Sequence, residues 1–222
     1  MARVMIQDYL RTQGLRLSLD EVQMAYLAAQ TVMNMGKAEI DRSVLWYEQD
    51  ETVLANHIEP TEDNETLLKQ MFMALDSVLE QVGRVQSAVI YGVLPAPDNM
   101  VLRLVQQGQA IEPKLAMDDV ATSCYLASRS AQNGWLNVVD NVAHWVNNGE
   151  MEGEHHQRSQ SQMTIPISLS NGKVLGVLHL EAAKPLAFAP ETQAAWVGLA
   201  LALLEPLQTL LGMTEEMEPA NV

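Results

Sequence analysis

Met163-Thr-Ile-Pro-Ile-Ser-Leu169, Asn171-Gly172 and Lys173-Val-Leu-Gly-Val-Leu-His-Leu-Glu181 follow one another in the last third of the chain. The outer two segments are apolar and β-branched, and they read as strands. Asn-Gly between them is the favoured two-residue hairpin turn, because both positions must tolerate positive φ. Pro185-Leu-Ala-Phe188-Ala-Pro-Glu191 then leads into a strongly apolar helix. A hairpin closed by a covering helix is one edge of an α+β sheet domain.

The segments before it supply the remainder of such a domain. Leu67, Leu68, Met71, Leu75, Val78, Leu79 and Val82 form a helical stripe from residue 64 onward, ended by Gly83. Residues 87–94 and 100–106 read as a second hairpin around Pro95-Ala-Pro-Asp-Asn99. Residues 118–130 predict a helix, 135–140 a short strand, 141–146 a short helix, and 147–161 a polar loop. The last helix spans 190–212, and Pro206 should kink it. This order gives an antiparallel sheet with its first and last helices on one face. The other face is left to the middle helices and the polar loop, and a cavity there is the natural ligand site.

Residues 1–60 read as a mostly helical extension. Ser18-Leu-Asp-Glu21 fits a capping box, followed by Leu19, Val22, Tyr26, Ala29 and Met33 at helical spacing, with Gly36 as a stop. Residues 38–57 are compatible with a helix or with a strand over 43–47. Glu59-Pro-Thr-Glu-Asp63 reads as a linker into a second unit at 61–212, and 213–222 as an acidic, frayed tail.

Composition narrows the function. An apolar fraction of 48% in 222 residues supports a buried core, and a net charge of −15 from 28 acids and 13 bases argues against nucleic acid or anionic membranes as partners. The most apolar run, 194–204, is shorter than the ~20 residues of a spanning helix. One cysteine, Cys124, permits no internal disulfide and no Cys-x-x-Cys zinc site. With no signal-peptide pattern at the start, a cytoplasmic location is expected.

Several of these segments resemble the GAF domain, a small-molecule-sensing module related to PAS domains. Val138-Val-Asp140-Asn-Val resembles the family's short strand ending in aspartate. Ile165-Pro-Ile167, Asn171-Gly172 and Val174-Leu-Gly-Val-Leu178 resemble its hairpin, and Phe188-Ala-Pro-Glu191 the residues before its final helix. The resemblance covers residues 64–211 and implies a ligand cavity walled by the middle helix and the strand after it. The chain departs from the specialised members. Cys124 precedes Tyr125 where bilin-binding domains have Cys-His. Only Phe188 and Glu191 match the Asn-Lys-Phe-Asp-Glu signature of cyclic-nucleotide binders. The free methionine sulfoxide reductases of this fold use more than one cysteine.

Alternation puts Leu178 and Leu180 on one face of their strand and His179 and Glu181 on the other. With the apolar face on the terminal helices, His179 and Glu181 point to the cavity, where they suit a polar ligand or a shared proton; a half-exposed polar sheet face explains them equally. Tyr125, Arg129, Trp135 and Asp140 come from the segments that wall a GAF-type cavity, and Tyr91 joins them from the first long strand. Arg129 also fits a solvated cation near a helix end. His144, Glu152, Glu154, His155 and His156 are metal-ligand types in a loop, but ordering them costs entropy and no metal site is expected. Cys124 reads as a buried, inert thiol.

The last helix carries Trp196, Val197, Leu199, Leu201, Leu203, Leu204 and Leu207 on nearly every side, so it needs a second cover besides the sheet. The helix at 67–82, the N-terminal sixty residues and another subunit all qualify, and a homodimer through the terminal helices is expected. The expectation overall is a non-enzymatic regulatory protein that binds a small molecule and signals to an unidentified protein partner. The alternatives are a scaffold whose cavity is plugged by Tyr125, Trp135 or Trp145, and an enzyme using His179 and Glu181. The sequence specifies no cofactor.

Overall fold

The computed structural model describes residues 2–35 and 39–213. Its first part holds α1 (Ala2–Thr12), α2 (Leu19–Met35), α3 (Arg42–Leu45), a small hairpin of β1 (Glu48–Gln49) and β2 (Thr52–Val53), and α4 (Glu62–Val82). There follow β3 (Ser87–Leu94), β4 (Met100–Gly108), β5 (Lys114–Ala116), α5 (Asp119–Cys124), α6 (Leu126–Asn133), β6 (Asn137–Val139) and α7 (Val142–Asn147). The chain closes with β7 (Ser161–Ser168), β8 (Val174–Ala182), α8 (Pro190–Ala202) and α9 (Leu204–Leu210).

Six strands form one antiparallel sheet in the order β5-β4-β3-β8-β7-β6. The fold is therefore α+β with helices on both faces of the sheet. Period-2 alternation sorts the side chains. Ala88, Ile90, Leu102, Leu104, Ile165, Ile167, Leu178 and Leu180 belong to the core shared with α2, α4 and α8. Val89, Tyr91, Val101 and Val177 pack on the opposite face with α6.

The N-terminal helices are part of the main core. Ile6, Leu10, Val22, Ala29 and Met33 share it with Trp196, Val197 and Leu199. Helix α8 lies between the sheet and α2, which accounts for its apolar residues on all sides: the second cover is α2. Gly198 makes this approach work. A Cβ there would come within 2.5 Å of the Ala25 Cβ and 2.7 Å of the Tyr26 amide nitrogen.

Local signals explain most element ends. The Ser18 hydroxyl accepts from the Glu21 amide at 3.3 Å, as a capping serine should, and the expected stop at Gly36 lies outside the described residues. Helix α4 begins at Glu62 with Thr61 as N-cap, so the expected linker is shorter than 59–63. Of the expectations for 38–57, the helix is realised only as the single turn of α3, no strand forms over 43–47, and the strands fall at 48–49 and 52–53.

Two helices are broken where one was expected. The helix over 118–130 is interrupted at Tyr125, whose backbone is extended (φ −125°, ψ 120°). The Thr122 carbonyl near that break accepts from Arg129 Nε at 2.9 Å. The last helix divides at Leu203 rather than at the proline itself. Pro206 has no N–H to offer the Ala202 carbonyl and its ring crowds that carbonyl, so the disruption falls in the turn before it.

Candidate functional site

Strand register brings the site together. His179 pairs with Val89 on one side and Thr164 on the other, and Glu181 with Ser87 and Gln162. His179 and Glu181 therefore share the sheet face that looks toward α6 and the 148–160 loop. His179 is 5% exposed and Glu181 1%. Their side chains meet: His179 Nε2 lies 3.2 Å from Glu181 Oε1.

A third charge completes this pair. Arg158 ends the 3-10 turn Glu154–Arg158 and reaches in over the sheet. Its Nε and Nη2 donate to the Glu181 carboxylate at 2.8 Å each. On its other edge Nη1 and Nη2 donate to the two oxygens of Glu112, at 2.7 Å each. Glu112 belongs to the loop between β4 and β5, where its backbone carbonyl accepts from the Tyr91 hydroxyl at 2.7 Å. One planar guanidinium is thus gripped along two edges by two carboxylates, the geometry in which Arg exceeds Lys.

The electrostatics follow from this pairing. Burial works to raise the Glu181 carboxyl, but the hydrogen bonds from His179 and Arg158 outweigh it and hold the group at about 2. Burial also opposes ionisation of Glu112, and Arg158 again prevails and lowers it. The two carboxylates in turn raise Arg158 against its own desolvation.

Two histidines of the 3-10 turn close the arrangement. His155 stacks on Tyr125 with ring centroids 4.3 Å apart, and its Nε2 lies 3.0 Å from the Cys124 carbonyl. His156 is 2% exposed, and burial and the neighbouring His155 lower its pKa to about 4, so it is neutral at pH 7. Its Nδ1 lies 3.2 Å from Gln162 Nε2, which also donates to the Ser159 hydroxyl at 2.8 Å. His156 Nε2 and His179 Nδ1 are buried with no partner.

Glu112, Arg158, Glu181 and the three histidines border one cavity of about 10 Å³ beneath the turn, room for a single water. It is filled by Tyr91, Arg158 and the histidines rather than by Trp135 or Trp145. Beyond His156 lies a more open depression of about 550 Å³ between α7 and the loop, walled by groups such as Val142, Val146, Gln157, Gln160 and Pro185, with no charged side chain.

Of the residues singled out in the sequence, Tyr91, Tyr125, His155, His156, His179 and Glu181 line the small cavity. Arg129, Trp135 and Asp140 do not. The Arg129 guanidinium donates to the carbonyls of Thr122 and Glu150, tying α6 to its neighbours. Trp135 is 54% exposed. Asp140 is exposed just after β6, and its carbonyl accepts from the Leu186 amide. Cys124 is half-buried at the end of α5, not fully buried as expected. Arg158, Glu112 and Gln162 escaped the sequence reading. The first two lie in irregular segments where no periodicity assigns a face; Gln162 was legible in principle, since it alternates with Thr164 on β7.

No family model matches the chain, and no curated protein matches it. Solved structures do. The GAF domain of an Acinetobacter phosphoenolpyruvate-protein phosphotransferase superposes with a TM-score of 0.59 at 14% identity, covering 87% of this chain and 96% of that one. A type II free methionine-R-sulfoxide reductase from Thermoplasma acidophilum gives a TM-score of 0.57 at 15% identity, over 67% of this chain and 97% of the other. The corresponding reductase from Neisseria meningitidis, in complex with its substrate, gives 0.51 at 16% identity, over 76% and 97%. The chain has the GAF fold. These matches correct one expectation: with reductases among the structures of this fold, the lack of a recognised catalytic motif does not make the chain a non-enzyme.

Proposed function

We propose that the protein binds a small polar molecule in the cavity bordered by Glu112, Arg158, His179 and Glu181, and relays binding through its helices to a protein partner. The observation that carries this reading is the buried charge cluster itself. Taking the Glu181 carboxylate wholly, and its Arg158 partner largely, out of water is expensive, and apolar residues of similar volume hold a fold together as well or better. A pure scaffold has no use for such a cluster, nor for two buried histidine nitrogens without partners. In the form seen here the cavity is closed, so a ligand must favour an open arrangement over the closed one. A cytoplasmic setting belongs to the same reading; the homodimer through the terminal helices loses its ground, since α2 of the same chain covers the second side of α8.

The test is a thermal-shift screen of small polar metabolites against the wild type and His179→Ala. At least one compound should raise the wild-type Tm by several degrees and leave the variant unmoved. Compounds that stabilise both proteins alike, or none that stabilises the wild type, would count against a ligand at this place.

A second reading makes the same cavity catalytic. It is favoured by the 3.2 Å His179–Glu181 contact, which orients a buried imidazole whose other nitrogen is unpartnered. The reductases of this fold act on free methionine-R-sulfoxide, and Cys124 is the one thiol here. Methionine formation from that sulfoxide with dithiothreitol is the direct assay. Turnover lost in Cys124→Ser assigns it to the thiol; turnover that survives there but fails in His179→Ala assigns it to acid–base chemistry. No turnover in the wild type removes the sulfoxide from consideration.

A further inference from the structure

We propose that the cavity is built for a guanidinium-bearing ligand and that Arg158 is an internal stand-in which keeps it shut. This rests on the reading of the cavity as a ligand site and names the chemistry of its ligand.

The two halves of the grip on Arg158 differ in origin. Glu181 is fixed near the end of the central strand β8, paired with Ser87 and Gln162, and Glu112 is fixed by the Tyr91 hydroxyl at its carbonyl. Arg158 comes instead from the irregular segment between α7 and β7. Its side chain is 20% exposed, while that of Glu181 is 1% exposed. The guanidinium therefore lies between solvent and the buried carboxylate and can leave outward without disturbing a strand. Its main chain stays anchored when it does, since the Arg158 carbonyl accepts from Gln86 Nε2 at 2.7 Å.

With the Arg158 side chain swung out, the cavity presents two carboxylates spaced for the two edges of one planar cation. A primary ammonium lacks the parallel donors for that arrangement, whereas a guanidinium supplies them. His179 and His156, each with one unpartnered ring nitrogen, line the same space and remain for the rest of the ligand. These two nitrogens are what the closed form leaves unsatisfied, and they distinguish the place from an ordinary ion-pair cluster. The cost of the device is affinity. A ligand of the wild type competes with a tethered guanidinium, so its apparent dissociation constant is raised by the ratio of closed to open forms.

Butylguanidinium and butylammonium chlorides at low millimolar concentration are matched probes, read by calorimetry on the full chain. Butylguanidinium should bind Arg158→Ala at least tenfold more tightly than the wild type, butylammonium should bind that variant at least tenfold more weakly than butylguanidinium, and adding Glu181→Gln should abolish both. In the wild type, the Arg158 Nε–H signal should lose its protection as butylguanidinium is added. If Arg158→Ala does not fold, Arg158→Gln keeps much of the side-chain length and is held to the same thresholds. Equal binding of both cations, equal affinity in wild type and variant, or an Arg158 signal that stays protected at saturation would each overturn the proposal. A thermal-shift ligand that acts through His179 but carries no cation would also overturn it, while leaving the ligand site itself standing.

Discussion

Glu181 and Glu112 contact the same guanidinium from opposite surroundings, and this asymmetry sets their energetic weight. Glu181 is almost wholly enclosed, while the Glu112 side chain is at the rim. Glu181→Gln leaves Arg158 without its buried counter-charge, and a loss of about 3 kcal/mol in unfolding free energy is expected. Glu112→Gln, screened by water, should cost about 1 kcal/mol or less. Urea denaturation separates the two; equal losses would contradict the burial difference. Acid should act in two stages. Folded His156 takes up its proton only near pH 4, against 6.5 for a free imidazole. Between those values the unfolded chain holds the proton and the folded chain does not, so stability falls as pH drops from 6.5 to 4, by on the order of 3 kcal/mol at most. The depressed carboxyls of Glu112 and Glu181 stabilise the fold above their ordinary range, and that contribution is lost below it, on the way down to about 2. His155, also lowered by burial, acts in the same direction. His156→Gln should flatten the pH 6.5–4 limb of a denaturation series and leave the lower limb in place; an unchanged first limb would mean that His156 is protonated in the fold.

At the scale of elements, regular structure was readable and irregular structure was not. The β7–β8 hairpin follows from Asn171-Gly172 and from alternation, and the same alternation placed His179 and Glu181 on the cavity face. Arg158 and Glu112 had no such guide, because a 3-10 turn and a strand-connecting loop impose no face on their side chains. The break at Tyr125 was hidden for a related reason: its neighbours have ordinary helix propensities, and what interrupts them is tertiary, with Tyr125 turned to the cavity and stacked on His155. The seam between α2 and α8 closes at Gly198, a glycine within an apolar helix. Gly198→Leu should cost several kcal/mol, beyond the roughly 1–3 kcal/mol typical of added core bulk, because the first added atom already meets the backbone of α2. A small change in the urea midpoint of that variant would show that the two helices separate easily.

For the whole molecule, α1 and α2 close the core that α8 cannot close with the sheet alone. Deleting residues 1–60 should bare the α2-facing side of α8 and yield aggregated or oligomeric protein in sedimentation; a well-behaved truncated form of unchanged subunit number would show that α8 does not depend on α2. The sequence signalled this need for a second cover through residues such as Trp196, Leu199 and Leu203, but several partners satisfied it equally, and only the packed chain selects α2. On the other sheet face the cavity is shut around its own charges. Native mass spectrometry of freshly purified Arg158→Ala, whose cavity has lost its internal cation, and of Arg158→Ala combined with Glu181→Gln, each compared with its denatured form, tests most directly whether that cavity serves a ligand. The single variant should carry a non-covalent small mass that denaturation releases and that the double variant lacks; bare protein in both samples, or the same bound mass in both, would contradict the account.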